Sequence, residues 1–324
     1  MSVERQTVQG LKWTGIAKFA GQLISWVVTL IVLRLLMPAD YGLMAIVTVV
    51  ISILGNMAEL GLGAAVVQAT RLDREDLAKI SGLVITVNVA VFLMHLLLAP
   101  LAEPIFREAR LPLLLQVASL QFLCNAVSTI PQSVAYREMA FKWLAGIEVA
   151  AVAISAATTL VLAWYGLGVW ALVFGSLVQA AIRTALLLRR GIVWPHFTRH
   201  GVSKFLAFGG SVALNQITWQ IIYQSDLLIA GRRLTTDAVG LYAVSIHLAT
   251  LPMQKVMGVV NQVAFPAVAR LQDEMDRLRA RLIEVSRYMA MFSVATMWGL
   301  SSVAPEFVTV VLGEKWDRGS FRYR

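Results

Sequence analysis

Apolar residues fall along this chain in long blocks rather than in alternation. Each block approaches the length of about 20 residues that a helix needs to cross the ~30 Å hydrocarbon core of a bilayer. Nine spans are predicted, at 16–37, 42–66, 80–102, 112–134, 144–165, 168–188, 205–231, 238–264 and 283–304. Proline or glycine marks many boundaries, as at Pro38, Pro112, Gly166, Pro266 and Pro305. A membrane barrel would instead alternate over strands of about 10 residues. The pattern therefore predicts an all-α integral membrane protein, a polytopic helical bundle.

Composition agrees with that class. Of 324 residues, 58% are hydrophobic and 15% charged, with a mean hydropathy of +0.71. Soluble domains hold about 45–50% apolar and about 25% charged residues. The formal net charge of +9 does not call for a nucleic-acid partner, because cations gather in the links between spans. With the N-terminus in the cytoplasm, fifteen Lys and Arg fall on inner segments and five on outer links. That is the bias of the positive-inside rule. The outer links are tight turns with no extracellular domain. The first apolar block is too long for a signal-peptide core and lacks a small-residue cleavage site, so it reads as a retained span. RLQDEMDRLRARL at 270–282 is charged and amphipathic, predicting a helix along the cytoplasmic surface before the ninth span.

An internal repeat organises the spans. A shift of 198 residues lays Arg34 on Arg232, Leu36 on Leu234, Gly42 on Gly240, Leu43 on Leu241 and Ala45 on Ala243. Both stretches read span, Arg, Leu, short polar turn, Gly, span. The repeat recurs after six spans in the same orientation, the mark of two parallel lobes that rock about a substrate site between them. The predicted division is a first lobe at 1–190 with six spans, a cytoplasmic linker at 191–204 and a partial second lobe at 205–324 with three spans and a polar tail. Pro38 ends the first helix, Asp40 caps the next, and Gly42 relieves crowding at its start. Arg34 then either snorkels to the outer headgroups or faces the cleft.

Ionisable groups at membrane depth are functional hypotheses. Lys18 lies near the start of the first span, Lys255 in the middle of the eighth, and Arg183 and Arg287 near inner ends, where they snorkel. The acids are Glu59, Glu148 and Asp226. Gln216, Gln220 and Gln224 share one face of the seventh span, four residues apart, and Asn261 and Gln262 lie in the eighth. Such a stripe either bonds a neighbouring helix, worth ~0.6 kcal/mol per bond on average, or lines a hydrophilic cleft. Catalytic patterns are missing. There is no Walker A sequence, the four histidines lack metal or triad spacing, and the single cysteine, Cys124, excludes an intrachain disulfide. Neither enzymatic activity nor a cofactor or metal is expected.

The ordered set LRLLMPADYGLMAI, ELGLGAAVVQ, YREMAFKW, QSDLLIAGRRLTTDAVGLYAVS, VAFPAVARLQ and VLGEKW resembles the Wzx-like oligosaccharide flippases of the multidrug/oligosaccharidyl-lipid/polysaccharide export superfamily. The resemblance covers residues 10–316. It implies two helical lobes around a cleft that is often cationic, and carriage of undecaprenyl-diphosphate-linked sugar units across the bacterial inner membrane for O-antigen, capsule or exopolysaccharide synthesis. Polysaccharide assembly proteins would be further partners. Lys18, Lys255 and Arg34 would meet the diphosphate, and Gln216, Gln220, Gln224 and Asn261 the sugars. Asp226 and Glu59 match acidic positions of the family's seventh and second spans. A drug or amphiphile exporter of the same superfamily is the alternative. The family continues into further apolar helices after GEKW, whereas this chain ends in DRGSFRYR, which implies an incomplete second lobe or an inactive fragment.

Overall fold

The computed structural model describes residues 26–59, 61–69, 72–191, 193–197, 203–251 and 275–316. Among them there is no strand, and the chain is an all-α membrane helical bundle. The helices are α1 (Trp26–Leu35), α2 (Pro38–Glu59), α3 (Leu62–Gln68), α4 (Arg74–Leu98), α5 (Ala102–Phe106), α6 (Leu111–Ala118), α7 (Leu120–Arg137), α8 (Phe141–Trp164), α9 (Val169–Leu188), α10 (Ser203–Arg233), α11 (236–251), α12 (Met275–Ser302) and α13 (Ala304–Phe307). Five described segments are long and apolar enough to cross a membrane: Pro38–Glu59, Arg74–Phe106, Leu111–Arg137, Phe141–Trp164 and Val169–Leu188. The apolar pattern thus locates spans two to six to within a few residues at most ends. α10 has 31 residues, about 46 Å of helix at 1.5 Å per residue, but its glutamines lower its hydropathy.

Two compact units are present, Met1–Val239 and Gly240–Arg324. In the first unit α10 packs along α2 and α3, and α8 pairs with α9. This division follows packing, whereas the lobes at 1–190 and 205–324 follow the internal repeat. The core of the first unit joins Leu43, Ile46 and Val47 of α2 to Leu111, Leu114 and Leu115 of α6, Phe122 of α7 and Val173 of α9. Lipid is as apolar as these side chains, so close packing rather than water exclusion holds the helices together. Small residues permit it. A Cβ on Gly175 would collide with Thr159 Oγ1, and Ser155 Oγ donates to the Gly175 carbonyl at 2.8 Å.

In the second unit α12 runs without a break from Met275 to Ser302. Of the surface helix expected at 270–282, residues 275–282 are helical and 270–274 lie outside the described residues. The helical part runs on into the segment predicted as the ninth span, with no proline or glycine at the junction to break the helix.

The repeat is visible in the backbone. α1 ends at Leu35 and α2 begins at Pro38, while α10 ends at Arg233 and α11 begins at residue 236. A shift of 198 carries the first break onto the second without offset. The closing bonds correspond too: Leu36 N–H donates to Val32 at 2.9 Å, and Leu234 N–H to Ala230 at 2.8 Å. The caps differ. Asp40 Oδ2 accepts from Met37 N–H at 3.0 Å, reaching back over the first turn of α2. In the second hairpin the Thr235 hydroxyl accepts from Ala238 N–H at 3.4 Å.

Exposed aromatics mark both ends of the bundle. Trp164 and Tyr165 stand at the end of the tight turns, and Trp194 at the end rich in Lys and Arg, as residues of a bilayer interface do. Residues 193–197, a loop, lie against α4: His196 N–H donates to the Ala78 carbonyl at 2.8 Å. The loop reading of His196 holds; His200 lies outside the described residues.

Candidate functional site

A cavity of about 640 Å³ lies within the first unit. Four helices present polar side chains to it at helical spacing. α2 contributes Ser52, Asn56 and Glu59; α7 contributes Gln121, Asn125, Ser128, Thr129, Gln132, Ser133 and Tyr136; α9 contributes Ser176, Gln179 and Arg183; α10 contributes Gln220. Asn88 of α4 joins them, donating to the Val84 carbonyl at 2.9 Å and to the Ala58 carbonyl at 3.5 Å. The cavity runs from the middle of these helices toward the basic end, where α7 leads to Arg137 and α9 to Arg189 and Arg190.

The opposite end is closed. A Cβ on Gly231 would sit 3.0 Å from Ile46 Cδ1 and 3.2 Å from Phe106 Cδ1, so α10, α2 and α5 touch there. Leu227, Ala230 and the buried Val239 continue the seal. Asp40 fastens the same end. Its Oδ1 accepts the Val169 amide at 3.0 Å, capping α9. Gly168, with φ 57°, makes room for that carboxylate, because a Cβ there would fall 2.9 Å from Asp40 Oδ1.

Glu59 is the last residue of α2, where the helix gives way through Gly61 at φ 61° to α3. A carboxylate at a helix C-terminus meets the negative end of the dipole, so it needs a cation. Arg183 of α9 lines the same cavity. Gly63 leaves room for the acid: a Cβ there would lie 3.1 Å from Glu59 Oε1 and 3.0 Å from Ser133 Oγ. Arg183 is also ion-paired with Glu148 at 3.9 Å, and Gln179 Nε2 donates to the same carboxylate at 3.4 Å. Arg183, read as snorkelling from its position near a span end, has this carboxylate as its partner. It pairs with Glu148 and shares the cavity lining with Glu59.

The glutamine stripe serves the helix interface and the cavity together. Gln220 Nε2 donates to Ser52 Oγ at 2.7 Å, and Asn56 Nδ2 donates to Gln220 Oε1 at 3.4 Å. Ser52 Oγ donates to Gln224 Oε1 at 3.2 Å. Gln216 is exposed. Asp226 is half-buried and accepts from the Leu227 amide at 2.8 Å. Arg34 is exposed near the end of α1. Lys18, Lys255 and Asn261 lie outside the described residues.

At the basic end the cations have structural partners. Arg137 Nη1 donates to the Val66 carbonyl at 3.0 Å and to that of Ala69, closing α3. Arg190 pairs with Glu138 at 3.3 Å and lies 4.9 Å from the Trp143 ring centre.

The polar face of α7 was missed in the sequence reading. Its signal is present in QFLCNAVSTIPQSVAY, where Gln121, Asn125, Gln132 and Tyr136 recur at intervals of four, seven and four. Among the described residues no group of three or more His, Cys, Asp or Glu could hold a metal ion.

These features define a polytopic helical membrane protein with a polar intramembrane cavity closed at one end. The chain belongs to the family described as polysaccharide biosynthesis protein, which matches residues 31–320. Three curated relatives are similar along nearly its whole length. The lipopolysaccharide biosynthesis protein WzxC of Escherichia coli (strain K12) is 25% identical over 98% of this chain and 65% of its own. The teichuronic acid biosynthesis protein TuaB of Bacillus subtilis (strain 168) is 23% identical over 97% of this chain and 66% of its own. The succinoglycan biosynthesis transport protein ExoT of Rhizobium meliloti (strain 1021) is 25% identical over 97% of this chain and 64% of its own. The chain thus spans just under two thirds of the length of these relatives. No solved structure matches it.

Proposed function

We propose that this protein is a flippase that carries undecaprenyl-diphosphate-linked oligosaccharide across the bacterial inner membrane by alternating access, for polysaccharide biosynthesis. The cargo is moved without chemical change. The observation that carries the reading is the one-sided cavity. Its polar lining reaches from mid-helix toward the basic end and is closed at the other by Gly231, Ile46 and Phe106. With the N-terminus cytoplasmic, the orientation that the distribution of cations favours, that cavity faces the leaflet in which the cargo is assembled. The polysaccharide-related names of the relatives support the same cargo class. A drug exporter would be expected to line its site mainly with apolar and aromatic groups, whereas amides and hydroxyls predominate here.

Complementation tests the reading. Cells lacking their own flippase receive this chain, or a form extended to the length of its relatives, and surface polysaccharide is measured. Restored polysaccharide is expected. Absence of polysaccharide from both forms, with protein present in the membrane, overturns the proposal.

A further inference from the structure

Gln121, Asn125, Gln132 and Tyr136 line the cavity from one face of α7, and their side chains bond to no described residue. Among the described residues the one sealed side-chain polar atom without a partner is His95 Nε2, elsewhere in the bundle. The α7 groups therefore open onto the cavity. Amides left unpaired at membrane depth are expensive unless water or a polar ligand meets them, and an apolar ligand would strip that water without replacing its hydrogen bonds.

Charge narrows the ligand further. The described lining holds one acid, Glu59, and one cation, Arg183. Both belong to the same wall of residues, so their charges offset within the lining, and Arg183 is also paired with Glu148 at 3.9 Å. Neither an anion nor a cation gains an unmatched counter-charge here. What remains is a ladder of amides, each able to donate and to accept, as the adjacent hydroxyls of a sugar ring require. The volume of about 640 Å³ lies within the range of about 300–1,000 Å³ of small-molecule sites.

We propose that this cavity is a neutral-saccharide subsite, in which Gln121, Asn125 and Gln132 hydrogen-bond sugar hydroxyls and the Tyr136 ring stacks on a sugar face. The diphosphate of a lipid-linked cargo is held elsewhere. The assignment rests on the flippase reading and divides its cargo between two sites.

A cysteine reporter tests it in the full chain. Cys124→Ser removes the native thiol, and Ala180→Cys places one on the cavity wall from α9, whereas the proposed contacts come from α7. Alkylation by a water-soluble maleimide is followed in detergent with galactose, N-acetylglucosamine, lactose or inorganic pyrophosphate. At least one of the sugars should slow the reaction, and pyrophosphate should not. Asn125→Ala with Gln132→Ala should raise the half-protecting sugar concentration about tenfold, as expected for two lost hydrogen bonds. Its sugar-free alkylation rate should be unchanged, which reports an intact cavity. The isosteric Asn125→Asp should weaken protection in the same direction and serves if the double variant does not fold.

Protection by pyrophosphate and not by sugars overturns the assignment. So does sugar protection that survives the substitutions, or an Ala180→Cys thiol that never reacts. Failure of sugar protection in a chain that still restores surface polysaccharide removes the subsite and leaves the flippase standing. Failure of complementation alone removes the flippase.

Discussion

Gln220 Nε2 donates to Ser52 Oγ at 2.7 Å, joining α10, the first helix of the second repeat, to α2 of the first. The same hydroxyl bonds Gln224, and Asn56 bonds Gln220, so three polar contacts follow one helix pair at the cavity edge. Hydrogen bonds between membrane helices average ~0.6 kcal/mol and reach ~1.7 kcal/mol. Gln220→Leu keeps the bulk and removes two of them. It should destabilise the protein by about 1 kcal/mol, read as a lower midpoint in detergent-titrated unfolding. An unchanged midpoint would show that water replaces these bonds fully.

Asp40 joins two helix starts through the Met37 and Val169 amides. Asp40→Ala should cost about 1–2 kcal/mol, the upper part of the range for a lost cap. Asp40→Asn, which keeps an acceptor, should cost less. Gly168→Ala should also destabilise, because its Cβ would fall 2.9 Å from Asp40 Oδ1 at a φ of 57°. Thermal unfolding of the three variants in one detergent would rank them.

Arg183 pairs with Glu148 at 3.9 Å and is the one cation in the described cavity lining, to which Glu59 also belongs. Arg183→Ala leaves two acids without their cation and should lower polysaccharide export about tenfold, with protein still present in the membrane. Adding Glu59→Gln to Arg183→Ala removes the stranded charge and should recover part of the loss. A double variant weaker than Arg183→Ala alone would mean that Glu59 has a role of its own, independent of Arg183.

At the closed end Arg110 Nε donates to Glu108 Oε1 at 2.9 Å. That hydrogen bond and the adjacent guanidinium charge hold the Glu108 carboxyl below the usual range. A lowered folded-state value contributes stability above the unfolded value of about 4.3, and the contribution fades as pH falls through the folded value. Arg110 is 53% exposed, so solvent screening limits the gain to less than about 1 kcal/mol. The stability difference between the native chain and Glu108→Gln should be present at neutral pH and vanish in acid. Thermal midpoints measured from neutral pH to about pH 3 check it.

Much of the bundle is legible in the chain because a bilayer imposes a simple rule. A spanning segment must satisfy its backbone internally and face lipid with apolar side chains. Pro38 and Gly166 therefore mark helix ends that the structure places within a few residues. The hairpin repeat was readable for a related reason: a tight turn needs particular residues at particular positions. Glu59 was singled out because an acid at membrane depth is conspicuous on its own. The α7 ladder was not, because uncharged amides within an apolar span gain meaning only from what faces them. Arg183 near a span end reads as an interfacial side chain, because its pair with Glu148 joins helices and leaves no local signal in the sequence.

Sequence alone determined the class, the described spans within the first unit and the 198-residue echo between Arg34 and Arg232, since each depends on local hydropathy or on turn chemistry. Only the tertiary structure decided that Asp40 caps α9, that Gln220 bonds Ser52, and that α2, α7 and α9 turn their polar faces into one cavity. Helical period places a side chain on a face. Which face meets which is set by the packing of small and large residues across helices far apart in the chain.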